Sequence, residues 1–141
     1  MLLKKGVPME EPKMRHLEMI QEVISRMANN SFALKGWTVT LVAGIFTLSG
    51  DAIGTNFWVL FIPIIIFWGL DAFYLSKERS YRALYEHVAG LNPNQINFNM
   101  ETKAFSGIKK NKFWNCLISP TELFFYLPLS ALSGMIILII N

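Results

Sequence analysis

This sequence contains few charged residues. Only 16% of the 141 residues are charged, whereas a typical soluble domain carries roughly 25%. Between Gly36 and Leu70 the only charged residue is Asp51, and residues 123–141 contain none. Stretches so poor in charge are not typical of a soluble core, and they indicate a membrane protein.

Cysteine is scarce, and the first residues do not have the pattern of a secretory leader. Cys116 is the only cysteine, which excludes an internal disulfide and a four-cysteine zinc site. Residues 1–5 resemble the charged start of a signal peptide, but Pro8, Glu10 and Glu11 follow where an apolar region would be needed. We therefore expect the first hydrophobic segment to act as its own insertion signal.

The sequence patterns of common enzymes are absent as well. There is no P-loop, no G-x-G-x-x-G, no H-E-x-x-H and no G-x-S-x-G. The two histidines, His16 and His87, lack a third metal ligand and are better interpreted as surface or interfacial residues. The sequence therefore predicts a protein that is not an enzyme and that holds no metal or cofactor.

Three hydrophobic segments dominate the rest of the chain. They cover residues 36–53, 56–75 and 123–140, and each is close to the roughly 20 residues that cross about 30 Å of hydrocarbon. The segment Gly50–Thr55 holds two glycines and an aspartate, which predicts a tight turn. The first two segments should therefore form an antiparallel hairpin.

The predicted fold is all-α. It consists of a transmembrane helical hairpin extended by a cytoplasmic helical stalk, plus a C-terminal third transmembrane helix. The predicted parts are a cytoplasmic amphipathic helix (1–35), the transmembrane hairpin (36–75), a cytoplasmic helix with a basic loop (76–118) and the third transmembrane helix (119–141). The loop within the third part is expected to be ordered, with at most a short strand near Ile96–Phe98.

The distribution of cations predicts the orientation. All 13 Lys and Arg fall within residues 1–35, 77–82 and 103–112. A cytoplasmic N-terminus and a periplasmic C-terminus place every one of them in the cytoplasm, as the positive-inside rule requires. We therefore expect a protein of the bacterial inner membrane.

The stalk is predicted from two apolar helix faces. On the first helix, apolar positions are spaced by three and four residues, which is a heptad pattern. The second helix continues the second span and carries its own apolar face, so the two faces should pack together. The first face comprises Leu17, Ile20, Ile24, Met27, Ser31 and Leu34, and the second comprises Tyr81, Leu84, Tyr85 and Val88.

Self-association is a further expectation. Gly36, Thr40 and Gly44 recur every four residues on the first span, and Ser130 and Gly134 do so on the third. Small residues at this spacing let helices approach closely in lipid, either within one chain or between chains. The residues that we expect to join several copies are Leu17, Ile20, Ile24, Met27, Gly36 and Gly44.

Asp71 is the most informative polar residue of the spans. A carboxylate at this depth is costly unless it is paired, and Lys35 lies at the same depth on the first span. A structural pair is the first interpretation, and a carboxylate ring at a pore mouth is the second. The hydroxyls of Thr40, Thr47 and Ser49 would then line or border the conduit, although ordinary interhelical hydrogen bonding explains them equally well.

Basic and aromatic residues form two further clusters near the membrane surface. This mixture suits contact with a nucleotide or oligonucleotide, and it also suits an anchor on anionic lipid. The candidate residues for an anionic ligand or lipid are Lys77, Arg79, Arg82, Lys109, Lys110, Lys112 and Trp114.

Three segments carry a resemblance to a known group of proteins. They are Leu34–Gly44, Phe67–Tyr85 and the late motif Ser119-Pro-Thr-Glu-Leu-Phe-Phe-Tyr126. They resemble small bacterial three-span membrane proteins that are similar to the effectors accompanying nucleotidyltransferases in anti-phage defence, including the Hailong type. The resemblance implies a homo-oligomeric channel that is gated by a nucleotide or oligonucleotide made by a partner enzyme, and that depolarises an infected cell.

Two functions remain open from the sequence. The first is an oligomeric, pore-forming membrane effector of this kind. The second is a scaffold or assembly subunit that does not conduct and that docks a cytoplasmic partner through the stalk, residues 17–88.

Overall fold

The chain folds into helices joined by a compact connecting segment. A computed structural model describes residues 10–49 and 58–140. The predicted turn Gly50–Thr55 and residues 1–9 lie outside the described residues. The helices are α1 (Glu11–Ser49), α2 (Trp58–Gly90), α3 (Lys103–Ser106), α4 (Phe113–Leu117) and α5 (Pro120–Ile140), with 3-10 turns at Pro93–Gln95 and Lys109–Asn111.

The prediction of an all-α fold is confirmed. In the described part of the chain no strand occurs, including at Ile96–Phe98. Three helices, α1, α2 and α5, are long and apolar enough to cross a membrane. The 39 residues of α1 extend over about 58 Å at 1.5 Å per residue, so its polar half continues well beyond the thickness of a hydrocarbon layer.

The polar halves of α1 and α2 pack as the sequence predicts. Ile20 and Ile24 of α1 are buried against Leu84 and Val88 of α2. Apolar positions three and four apart lie on one face of a helix, which explains why these residues meet along the helix pair. We call this cluster of four residues the stalk core.

The apolar halves of the helices form a second core, to which α5 contributes. Val42 of α1, Leu60 and Ile64 of α2, and Tyr126 and Ile137 of α5 are all buried there. Three helices therefore meet in this half of the molecule, whereas the stalk consists of two.

The connecting segment between α2 and α5 folds back on the stalk. Lys13 of α1 donates hydrogen bonds to the carbonyls of Ala89 (2.7 Å) and Leu91 (2.9 Å), at the end of α2. A cation at this position complements the unpaired carbonyls at a helix C-terminus. Farther along the segment, Ser76 of α2 donates to the carbonyl of Asn111. The Ser76 contact fastens the connecting segment to α2.

Candidate functional site

Asp71 lies at the point where α1, α2 and α5 meet. Its side chain is fully buried and accepts hydrogen bonds from three residues. Ser31 donates to Oδ1, Lys35 donates to Oδ2, and the Tyr126 hydroxyl donates to Oδ2 over 3.1 Å. The predicted pair between Lys35 and Asp71 is confirmed.

Lys35 connects Asp71 to a second carboxylate. Its Nζ lies 3.2 Å from Oε1 of Glu122 and 3.2 Å from Oγ of Ser31. Three hydrogen-bond acceptors, one from each helix, therefore surround the three donors of the ammonium group. We call Ser31, Lys35, Asp71, Glu122 and Tyr126 the ionic junction.

The start of α5 leaves two buried oxygens without a hydrogen bond. The pattern Ser119-Pro-Thr-Glu122 is typical of a capping box, in which the glutamate bonds back to the serine N–H. Here the Ser119 N–H donates to the carbonyl of Cys116 instead, over 3.0 Å, and Glu122 turns to Lys35. Within the described residues, Ser119 Oγ and Glu122 Oε2 are buried and have no partner.

An aromatic stack supports the junction from the side. The rings of Trp68 and Tyr126 lie nearly parallel, 5.7 Å apart at 12°. Trp68 also donates its indole N–H to the carbonyl of Leu117 over 3.0 Å. Because Leu117 ends α4 just before α5 begins, Trp68 fixes both the hydroxyl that reaches Asp71 and the segment that carries Glu122.

The proposed pore residues do not meet in the single chain. Thr40 and Thr47 are exposed on α1, and their hydroxyls donate to the carbonyls of Gly36 (2.9 Å) and Ala43 (2.8 Å) within the same helix. Ser49 is half-buried at the end of α1. Asp71 lies inside the ionic junction, away from the exposed hydroxyls of Thr40 and Thr47.

The residues expected to join several copies fall into three classes. Ile20 and Ile24 are buried in the stalk core of their own chain, so they offer no surface to a neighbour. Leu17 and Met27 are half-buried at its margin. A Cβ added at Gly36 or Gly44 would meet nothing within 4 Å, which shows that neither glycine serves a close helix contact within the chain.

The two basic clusters lie side by side. Arg79 donates to the carbonyl of Lys110 over 2.8 Å, which joins α2 to the basic loop. Arg82 pairs with Glu78 at 2.8 Å, and Lys77 lies 5.5 Å from the ring centre of Phe73. The remaining candidates are exposed at the surface: Lys109, Lys110, Lys112 and Trp114.

Cys116 and the histidines serve local packing. Burial raises the pKa of the Cys116 thiol, and the nearby Arg79 opposes that shift only in part. His16 is buried with Nε2 3.2 Å from the Asn99 carbonyl, while the His87 ring lies 5.6 Å from the Phe105 ring at a tilt of 52°. Among residues 10–49 and 58–140, no group of three or more His, Cys, Asp or Glu could hold a metal ion.

Sequence reasoning missed two members of the ionic junction. Glu122 and Tyr126 both lie in the late motif Ser119–Tyr126, but neither was predicted to contact Asp71. The available signal was their spacing, since residues four apart share a helix face. The sequence does not show that this face contacts Asp71, because the contact depends on how α5 packs against the other two helices.

Comparison with known proteins found no matching family model, no similar curated protein and no similar solved structure.

Proposed function

We propose that this protein is a subunit of a homo-oligomeric, pore-forming effector of the bacterial inner membrane. The ionic junction is the observation that carries the proposal. Charged groups in membrane helices are costly, and where they persist they commonly mark ion pathways or gates. Here three charged side chains meet between helices that are long enough to span.

The proposed orientation places the N-terminus in the cytoplasm and the C-terminus in the periplasm. The asymmetry of Lys and Arg supports it, because every cation then lies on the cytoplasmic side. In this orientation the stalk and the basic clusters project into the cytoplasm, and the ionic junction lies at the inner end of the spans.

Assembly through α1 is part of the proposal. Gly36 and Gly44 have open space around them, and a shallow depression is lined by Ala33, Gly36, Trp37 and Thr40. Small residues on an uncovered helix face favour close approach of a second helix in lipid. In an oligomer built this way, Thr40 would lie at or next to the interface between chains.

Control by an anionic ligand completes the proposed mechanism. Lys109, Lys110 and Lys112 are exposed next to Trp114, a combination that suits phosphate contact and base stacking. The resemblance to defence effectors supports a nucleotide or oligonucleotide ligand, made by a partner enzyme, and a role against phage.

Ion flux from proteoliposomes tests the proposal. Purified protein in liposomes should dissipate an imposed potassium gradient, and oligonucleotides should change the rate. Asp71→Asn should alter the flux, whereas Glu86→Gln, at an exposed carboxylate on the same helix, should leave it unchanged. The absence of flux under every ligand condition would eliminate the pore.

One observation favours the scaffold as a second candidate. A groove of about 700 Å³ runs along the stalk on the face that includes Leu17, Glu22, Arg26 and Tyr85. A groove of this kind suits a cytoplasmic partner that binds as a helix. Leu17→Asp would then abolish capture of that partner, and the liposomes would show no flux.

A further inference from the structure

The ionic junction is built like a cage for a cation. Around the Lys35 ammonium lie Ser31 Oγ at 3.2 Å, an oxygen of Asp71 and Glu122 Oε1 at 3.2 Å. The ring centres of Phe125 and Tyr126 lie 5.8 Å and 5.9 Å from the same nitrogen. Anionic oxygens and aromatic faces are the groups that bind cations in proteins.

Two buried oxygens near the start of α5 do not bind Lys35. Glu122 Oε2 and Ser119 Oγ are buried without a hydrogen bond, and Glu122 is only 1% exposed. Glu122 lies in the first turn of α5, and Ser119 directly precedes that helix. A buried carboxylate oxygen without a partner is unfavourable, and a cation would satisfy it.

The balance of charge points the same way. Two carboxylates, Asp71 and Glu122, face one ammonium, and both are buried. Among the described residues no third acidic, histidine or cysteine ligand joins them. The group that lies between the two carboxylates in this structure is a singly charged ammonium, so a free cation of the same charge is the expected substitute for it.

We infer that Asp71 and Glu122 form a binding site for a small monovalent cation, and that Lys35 is a tethered occupant of that site. In this structure, the ammonium of Lys35 takes the place of the free ion. When Lys35 withdraws, a potassium, sodium or ammonium ion can enter between α1, α2 and α5. The binding of a cation is inferred from the ionic junction alone. Only the further passage of that ion across the membrane rests on the proposed pore function.

Removal of the tethered ammonium exposes the site to measurement. Lys35→Met replaces the ammonium by an unbranched, uncharged side chain that is one atom shorter, and it leaves two buried carboxylates without a counterion. A ligand that binds only the folded state stabilises it by mass action. The melting temperature of this variant should therefore depend on the identity of the cation in the buffer.

The experiment uses the full chain in lipid nanodiscs. Melting temperatures are recorded at constant ionic strength while choline chloride is replaced by potassium, sodium or ammonium chloride. We expect no dependence in the wild type and a saturable rise for Lys35→Met. The rise should disappear in Lys35→Met/Glu122→Gln. Lys112→Met, at an exposed lysine, serves as the matched control and should behave as the wild type does.

A second variant covers the case in which Lys35→Met does not fold. Lys35→Met/Asp71→Asn carries a single buried carboxylate, and it should still show a smaller rise that addition of Glu122→Gln removes. If folded variants melt at the same temperature in choline as in every small cation, the inference is wrong. If the melting temperature depends on the cation but liposomes show no ion flux, the cation site is supported and the proposed pore function is wrong.

Discussion

The stalk core and the ionic junction hold α1 and α2 together by different forces. In the stalk, aliphatic side chains such as Ile20 and Val88 are buried against each other. Near the middle of the pair, Ser31, Lys35 and Asp71 connect the same two helices through hydrogen bonds and charge. Burial of apolar surface stabilises helix contacts that would otherwise be exposed to water. It contributes little stability between helices that are surrounded by lipid.

The comparison shows what each region contributes to the molecule. The stalk core gives stability that does not depend on charge. The ionic junction gives a contact whose strength depends on every partner being present, because a buried charge without its partner is costly. The junction, unlike the stalk, can therefore change state when one group moves or is replaced.

The largest expected effect comes from Asp71→Asn. This change removes the charge that faces Lys35, and breaking a buried pair costs about 3–5 kcal/mol. We expect a loss of that size in the free energy of unfolding, measured by denaturant titration in mixed micelles. Glu86→Gln on the same helix is the control and should cost little. A loss of unfolding free energy equal to that of the control would show that the ionic junction does not stabilise the fold.

Ile24→Ala tests the stalk with the next largest effect. Ile24 is 3% exposed, and truncation of a buried isoleucine costs about 2–5 kcal/mol. The loss should be independent of the salt used, in contrast to changes at Lys35. Met19→Ala, at an exposed position of the same helix, should change the unfolding free energy far less. Equal losses would contradict a buried stalk core.

Trp68→Phe should have an intermediate effect on the junction. The ring remains available to stack on Tyr126, but the Leu117 carbonyl loses its donor. Loss of a hydrogen bond to a partner shielded from water costs about 1–3 kcal/mol. We expect that loss in thermal unfolding, with Trp37→Phe at an exposed tryptophan as the control.

Lys13→Met should have a smaller effect that is confined to the end of α2. The variant loses both hydrogen bonds to the carbonyls of Ala89 and Leu91. Interactions of cations with helix C-termini are worth about 0.3–1 kcal/mol. Hydrogen exchange should therefore become faster in residues 91–100, while exchange near Asp71 stays unchanged. Faster exchange near Asp71 would show that the two regions are coupled.

The smallest effect concerns the Cys116 thiol and alkaline pH. Burial raises its pKa, so the folded protein holds this proton more tightly than the unfolded chain does. The corresponding stability is complete below the pKa of a free thiol and is lost as pH rises through the raised value. Alkylation of Cys116 should be slow at neutral pH compared with an engineered Ser106→Cys at an exposed site. Equal rates would contradict the burial of Cys116.

Sequence patterns predict the stalk better than they predict the junction. The spacing of Ile20 and Ile24 fixes a helix face, and the pairing of Lys35 with Asp71 follows from their equal depth on adjacent spans. Glu122 could not be placed in the same way, because its local pattern also suits a capping box. Only the packing of α5 against α1 decides between the two. For the same reason, the pattern of Thr40 and Thr47 indicated a hydroxyl stripe but not which neighbour it would face.

A double-mutant cycle between Lys35 and Asp71 in lipid nanodiscs tests the central claim most directly. The free energies of unfolding of Lys35→Met, Asp71→Asn and the double variant are compared with the wild type. Residues in one ionic network couple by about 0.5–3 kcal/mol, so the double variant should lose clearly less stability than the two single losses added together. Additive losses would contradict a buried ionic junction between the helices.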